Sequence, residues 1–142
     1  RLHYFNEGVK RLVIRLEFET FEIFLVHLSL IYRHRQYQLS SLYSLFAEVR
    51  KPKIVAGDFN AFWGDRELDL FMAASGLQNA NAQASPTFPS RKPRRQLDFI
   101  LHSPAIHITN FRIPSVKYSD HMPLICDFEI ENGVASRLNR DT

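Results

Sequence analysis

The chain has 142 residues, of which 45% are hydrophobic and 13% aromatic, including twelve Phe. This composition excludes a disordered protein, and the length suits one domain with a buried core. The net charge is only +3, and the sequence contains no apolar run near the roughly 18 to 20 residues that span a bilayer.

The first half of the chain predicts two strands, a helix and a third strand. Residues 11–18 and 21–30 are rich in β-branched and aromatic residues, which favours two antiparallel strands joined by a tight turn. Apolar residues between positions 37 and 49 follow a 3.6-residue period, so we expect an amphipathic helix ended by Lys51-Pro52. The continuous apolar run 53–57 is typical of a strand buried on both faces.

The second half predicts one more helix and a set of strands. Asp65 can cap a helix over residues 66–75, which Gly76 ends. The polar stretch 78–96 holds three prolines and predicts a long loop. We expect strands at 97–101, 106–113 and 122–130, followed by a polar, frayed tail over residues 132–142. The fold class is therefore α/β of the α+β type, with a mostly antiparallel sheet and flanking helices.

Polar residues stand at the ends of the predicted strands. In "KIVAGDFNAFWGD", Asp58 and Asn60 follow a buried strand two residues apart, so in extended backbone their side chains point the same way. A carboxylate can accept a proton, and a carboxamide can donate to a phosphate oxygen without adding charge. A plain turn is the alternative, since Gly, Asp and Asn all favour turns.

Two further strand ends carry residues suited to acid–base chemistry. His27 lies in "FLVHLSL", where it is either an ordinary strand residue or a group that protonates a leaving oxygen. Asp98 lies in a strand pattern, so it needs an imidazole or a cation as partner; an ion pair with a neighbouring arginine is the alternative. Asp120 and His121 precede the last strand and suit a hard cation and a general base, respectively.

The motifs "GDFNAFWGD", "QLDFIL" and "SDHMPL", in this order and with "VHLS" upstream, resemble the endonuclease/exonuclease/phosphatase superfamily, which has the fold of deoxyribonuclease I. The resemblance covers residues from about 10 to 130. It implies part of a four-layer α/β sandwich and a phosphoesterase that uses Mg²⁺ or Mn²⁺.

The resemblance also implies a role for each matching residue. His121 matches the family's water-activating base, and Asp98 the carboxylate that orients it. Asp120 matches a metal-ligating or metal-adjacent aspartate. Asp58 and Asn60 match the pair that positions the phosphate and stabilises its transition state.

His27 matches a second histidine, which in some branches of the superfamily acts as an acid or contacts the phosphate. The family also uses a metal-binding glutamate in its first half, and no glutamate here sits in that upstream motif; the candidates by residue type are Glu7, Glu17, Glu19 and Glu22. We therefore expect residues 1–142 to form a single partial domain, the C-terminal part of a longer one, as the start at Arg1 also suggests. An uncovered sheet face of such a chain would be an association site.

The predicted substrate loop is "PTFPSRKPRR", which leads into Asp98. Its cations can clamp phosphates, whereas a solvated loop is the alternative; they are Arg91, Lys92, Arg94 and Arg95. Trp63 or Phe88 can stack on a base, although Trp63 also suits core packing. The stretch "YRHRQ" around His34 is expected to open a helix and to face solvent.

Two functions follow as hypotheses. The first is a metal-dependent phosphoesterase, with DNA or RNA narrowly preferred over lipid or small phosphodiesters. The second is a non-catalytic module that binds phosphate or nucleic acid without a complete metal site. The single Cys126 cannot form an internal disulfide, so a reducing, cytoplasmic location is the expectation.

Overall fold

The computed structural model describes residues 1–6, 11–63 and 66–131. Within these residues it has eight strands and two helices. The elements are, in chain order, β1 (Leu2–Tyr4), β2 (Leu12–Glu17), β3 (Glu22–His27), α1 (Tyr32–Ala47), β4 (Lys53–Asp58), α2 (Arg66–Ser75), β5 (Gln78–Asn79), β6 (Asp98–His102), β7 (Ile106–Arg112) and β8 (Ile125–Ile130).

Six strands form one sheet in the order β1-β2-β3-β4-β6-β5, and β7 and β8 form a separate antiparallel pair. Within the larger sheet, β3 and β4 are parallel and the other neighbours are antiparallel. The parallel pair requires a crossover, which α1 supplies between β3 and β4. The crossover brings the end of β3 and the end of β4 to the same edge of the sheet.

The core lies between the sheet and the two helices. Strand β3 alternates, so that Phe24 and Val26 are buried on the helix side. The Phe24 ring meets Phe46 of α1 edge to face, with centroids 5.0 Å apart. Phe46 in turn lies 5.9 Å from Phe71 of α2, so one aromatic row joins the sheet to both helices.

The other face of the sheet is only partly covered. Phe21 contacts Phe128 of β8 at 5.5 Å between ring centroids, so the β7–β8 pair packs over one end of this face. Ile14, Leu16 and Leu25 remain 37 to 39% exposed. The uncovered apolar face anticipated from the sequence is therefore present, and self-association through it stays a prediction.

Helix α1 begins at Tyr32, so the stretch "YRHRQ" opens the helix as expected, five residues before the apolar pattern that starts at position 37. The apolar period does not extend over the first turn because its core-facing positions are polar: Arg35 and Gln38 are fully buried. The expectation that the stretch around His34 faces solvent is thus wrong for Arg35. The Arg35 guanidinium forms a bidentate ion pair with Glu67 of α2 and donates to the Ser29 carbonyl at 2.7 Å.

The remaining boundaries differ by a few residues. The short strands β1 and β5 were not predicted, and β5 lies inside the stretch expected to be a loop. Strand β8 begins at Ile125 and not at 122, since Pro123 has no N–H to donate to a ladder. Gly76 ends α2 in the left-handed region, at φ 67°, as expected for a C-terminal glycine. The predicted Asp65 cap and the tail 132–142 lie outside the described residues.

Neither described helix is long and apolar enough to cross a membrane.

Candidate active site

Three predicted site residues lie side by side in one row across the sheet. In the strand register His27 of β3 is paired with Asp58 of β4, which is paired with Asp98 of β6. Paired residues on neighbouring strands project from the same face, so the hydrogen-bond ladder itself brings the three side chains together. His27 Nε2 lies 3.4 Å from Asp58 Oδ2.

His121 comes to this row from the loop before β8. Its Nδ1 lies 2.8 Å from Asp98 Oδ2, and its Nε2 lies 4.0 Å from Asp58 Oδ2. Because a carboxylate can only accept, Nδ1 carries a proton, and Nε2 presents a lone pair in the neutral imidazole. The partner of Asp98 is thus an imidazole, and the alternative of an ion pair with Arg94 or Arg95 does not occur among the described contacts.

Thr87 completes the arrangement, although no sequence pattern singled it out. Its hydroxyl is fully buried, donates to Asp98 Oδ2 at 2.6 Å and accepts from the Leu97 and Asp98 amides. The Thr87 carbonyl also accepts from the Met122 amide at 2.8 Å, which holds the loop of His121 against β6. A threonine at the second position of "PTFPSRKPRR" carries no spacing signal, so only the structure reveals this contact.

The pair Asp58 and Asn60 forms a turn as well as part of the site. Asp58 Oδ1 accepts from the Asn60 amide at 2.9 Å, and Asn60 has φ 51°. The predicted extended geometry is therefore wrong at Asn60, because the aspartate caps a turn directly after β4. The Asn60 side chain is only 3% exposed, and Nδ2 donates one proton to the Leu28 carbonyl at 3.0 Å. This hydrogen bond uses one of the two Nδ2 protons of Asn60 and leaves the second for another acceptor.

Gly57 explains how β3 and β4 approach so closely next to the site. It has φ 144°, and a Cβ at this position would lie 1.9 Å from the Val26 carbonyl oxygen. Every side chain would clash with the backbone of β3 there. The glycine before Asp58 is thus required by packing, independently of any role in chemistry.

Two groups of the site have pKa values raised above their ordinary values. Burial is the main reason why the pKa of Asp58 is raised; Asp98 adds to this, while the Asn60 amide and the two imidazoles oppose it. Burial alone would lower the pKa of His121, but the hydrogen bond to Asp98 and the surrounding carboxylates outweigh it, so the pKa is raised.

Among the described residues, one group has the composition of a cation site: Asp58, Asp98 and His121 offer ligand atoms that all lie within 4.8 Å of one another. Carboxylate oxygens suit Mg²⁺ and Mn²⁺, and Asp58 is the carboxylate with no strong cationic partner. The donor set thus fits a divalent cation. Asp120, the residue matched to a metal ligand in the sequence, is exposed and is not in this group; its Oδ1 accepts from the Ser119 hydroxyl.

Of the predicted substrate residues, Phe88 contacts the site directly, whereas Trp63 and the loop cations are exposed. Trp63 is 76% exposed, so core packing is the wrong interpretation for it. Phe88 lies against the His121 ring, 4.8 Å between centroids, and against Phe62 at 6.1 Å. The loop cations are all exposed, which leaves both phosphate binding and plain solvation open; they are Arg91, Lys92, Arg94 and Arg95.

Known proteins share this architecture. The catalytic domain of human Nocturnin, solved with a bound sulfate anion, is 26% identical, with a TM-score of 0.64 over 92% of this chain and 57% of that one. TDP2 from D. rerio, complexed with a single-strand DNA product, is 18% identical, with a TM-score of 0.72 over 91% and 66%. A mannosyl-6-phosphatase from Bacteroides thetaiotaomicron VPI-5482 is 19% identical, with a TM-score of 0.69 over 89% and 60%.

These likenesses confirm the predicted deoxyribonuclease I-like fold class, and the chain spans less than two thirds of each of these structures. No curated protein sequence matches the chain significantly. The family described as Endonuclease/Exonuclease/phosphatase matches residues 5–121, which include every residue of the row and His121. The chain belongs to the Endonuclease/Exonuclease/phosphatase family.

Proposed function

We propose that the chain carries the water-activating part of a divalent-metal-dependent phosphoesterase. The observation that supports this most directly is the hydrogen bond of His121 Nδ1 to Asp98 Oδ2, at 2.8 Å, which leaves Nε2 directed toward Asp58. An imidazole held in one tautomer by a carboxylate is suited to taking a proton from water. Thr87 in turn fixes the orientation of Asp98.

In the proposed reaction His121 Nε2 accepts a proton from a water molecule whose oxygen attacks phosphorus, and the bond to the leaving oxygen breaks. His27, on the far side of Asp58, is placed to contact the phosphate or to protonate the leaving oxygen. The second N–H proton of Asn60 is the donor available to a phosphate oxygen. A divalent cation at Asp58, with Asp98 and Asp120 as further candidates, would stabilise negative charge on the phosphate.

We further propose nucleic acid as the preferred substrate class. The exposed Trp63 offers a stacking face, and the exposed loop cations can neutralise a phosphate backbone. Within the family, the structure of D. rerio TDP2 contains a single-strand DNA product, whereas the Bacteroides relative is a mannosyl-6-phosphatase. The family fold therefore accommodates both kinds of phosphoester, and the loops of this chain favour the first.

The proposal is tested by Mg²⁺- and Mn²⁺-dependent hydrolysis of a single-stranded oligonucleotide and of a small phosphodiester. The wild type and the variants named below are assayed both as the 142-residue chain and in the longest native polypeptide that contains it. We expect His121→Ala and Asp98→Ala each to lower kcat by roughly 10²- to 10⁴-fold. His107→Ala is the matched control, because His107 is an exposed histidine on β7, away from the row.

Metal-dependent turnover that survives the double change at His121 and Asp98 would refute this mechanism. Binding of phosphate polymers without cleavage in either polypeptide would favour the alternative, a non-catalytic phosphate- or nucleic-acid-binding module.

A further inference from the structure

A cavity lies beside the row of His27, Asp58 and Asp98 and has no role in the reaction proposed above. Its volume is about 380 Å³, and it opens between the turn after β4 and the basic loop. The residues that matter for its chemistry are Phe62, Trp63, Arg94, Arg95 and Gln96. It therefore combines aromatic surface, positive charge and one carboxamide.

Gln96 is the unusual member of this lining. Gln96 is only 8% exposed, and its amide nitrogen and oxygen are both inaccessible to solvent. Among the residues that the structure describes, neither Nε2 nor Oε1 has a hydrogen-bond partner. A buried amide without partners is destabilising, and such groups in native proteins call for an explanation. A ligand that offers one acceptor and one donor would satisfy both atoms at once, after the Gln96 side chain rotates toward the cavity.

The aromatic residues define the shape of the ligand. Trp63 is exposed and meets Tyr32 edge to face at 6.3 Å, so its ring has a fixed neighbour and an open surface. Arg95 contacts Phe62 in the same lining. Its Nη1 donates to the Phe62 carbonyl at 2.9 Å, and the guanidinium lies 5.4 Å from the Phe62 ring centroid. A flat ligand can thus lie against an aromatic face.

The cavity is also linked to the row by two ring contacts. Phe62 lies 6.1 Å from Phe88, and Phe88 lies 4.8 Å from His121. Along the chain, Gln96 is two residues before Asp98, and Phe62 is two residues after Asn60. A group bound in the cavity would therefore be a near neighbour of a phosphate held at His121.

We propose that this cavity binds a nucleobase adjacent to the scissile phosphate, with Trp63 against the face of the base and Gln96 at its edge. A glutamine amide pairs in a bidentate manner with a base edge that offers a donor beside an acceptor, as adenine does. Arg94 and Arg95 neutralise the neighbouring phosphate. This inference rests on the proposed function, since it places the base beside the phosphate that the row would hydrolyse.

The first test measures binding without catalysis. Trp63 is the only tryptophan in the sequence, so tryptophan fluorescence reports on this one lining residue. With EDTA present, we expect AMP to quench the fluorescence saturably and to bind at least several-fold more tightly than ribose 5-phosphate. Gln96→Leu should weaken AMP binding by roughly tenfold. Gln83→Leu, the same change at an exposed position of the same loop, should not.

A second measurement uses cleavage. Short single-stranded DNAs are compared with versions in which one base is replaced by tetrahydrofuran, and the ratio of kcat/KM for intact over abasic strands is determined. We expect this ratio to fall roughly tenfold in Gln96→Leu, with an unreduced Tm because an unsatisfied buried amide is removed.

The inference is overturned if AMP and ribose 5-phosphate bind equally, or if Gln96→Leu keeps both the AMP affinity and the cleavage ratio of the wild type. Binding of AMP in the absence of any metal-dependent cleavage would support the cavity while contradicting the proposed function, so the two failures are distinguishable.

Discussion

The buried ion pair between Arg35 and Glu67 predicts a large loss of stability when only one partner is removed. The two side chains are 0% and 1% exposed, and the pair is bidentate, with Nη2 3.0 Å from Oε2. Glu67→Leu leaves the guanidinium buried with the Ser29 carbonyl as its remaining partner. An uncompensated buried charge of this kind costs about 3–5 kcal/mol. A domain of ordinary stability, about 5–15 kcal/mol, would lose at least about a fifth of its free energy of unfolding.

Replacing both partners should cost less than replacing one. In Arg35→Met with Glu67→Leu no charge stays buried, and apolar side chains fill the space between α1 and α2. The free energy of unfolding is measured by urea denaturation followed by far-UV circular dichroism, for the two single variants and the double variant. Glu19→Ala, at an exposed position, is the control and should change it by less than about 0.5 kcal/mol. Single variants that lose less than about 1 kcal/mol, or losses that simply add in the double variant, would refute the reasoning.

Three further outcomes are expected. Thr87→Val should lower the free energy of unfolding by about 1–3 kcal/mol, because the half-buried Asp98 carboxylate loses one of its two side-chain donors, whereas Thr87→Ser should retain most of it in the same urea assay. Mg²⁺ or Mn²⁺ at 100 times its Kd should stabilise the wild type by about 2.7 kcal/mol in thermal melts, reversibly with EDTA. Asp58→Asn should abolish this gain and Asp69→Asn, exposed on α2, should keep it; an equal gain in Asp58→Asn would exclude that site. The 142-residue chain should self-associate in light scattering through its open sheet face and become monomeric in Leu25→Lys but not in Leu30→Lys; a monomeric wild type would contradict this.

The fold class follows from the sequence because most strands and α2 have apolar patterns that match their periods. The pattern at 66–75, ended by Gly76, predicted α2 with its observed bounds. The apolar period marked α1 only from position 37, because the first turn buries Arg35 against Glu67 and hydrophobic periodicity does not detect a buried ion pair. Strands β1 and β5 have three and two residues, too few for an alternating pattern to stand out.

The candidate site was only partly accessible to the same reasoning. Short motifs marked Asp58, Asp98 and His121, and the structure brings them together. The role of Thr87 was not predicted, because it acts through hydrogen bonds that have no fixed spacing from the motifs, and the unpaired buried amide of Gln96 leaves no sequence pattern. Asn60 was expected in extended backbone, and it turned out to adopt a left-handed turn, since the carboxylate of Asp58 competes for its amide.

The strand register that aligns His27, Asp58 and Asp98 has a consequence for engineering. The spacing of these three positions is set by backbone hydrogen bonds of β3, β4 and β6, and not by the side chains themselves. Other side chains placed at the same positions would therefore meet at the same edge of the sheet. Three histidines there, for example, would present imidazoles on one face, a starting geometry for a designed zinc or copper centre. The backbone thus sets the positions of these three side chains, and their chemistry can be exchanged without rebuilding the sheet.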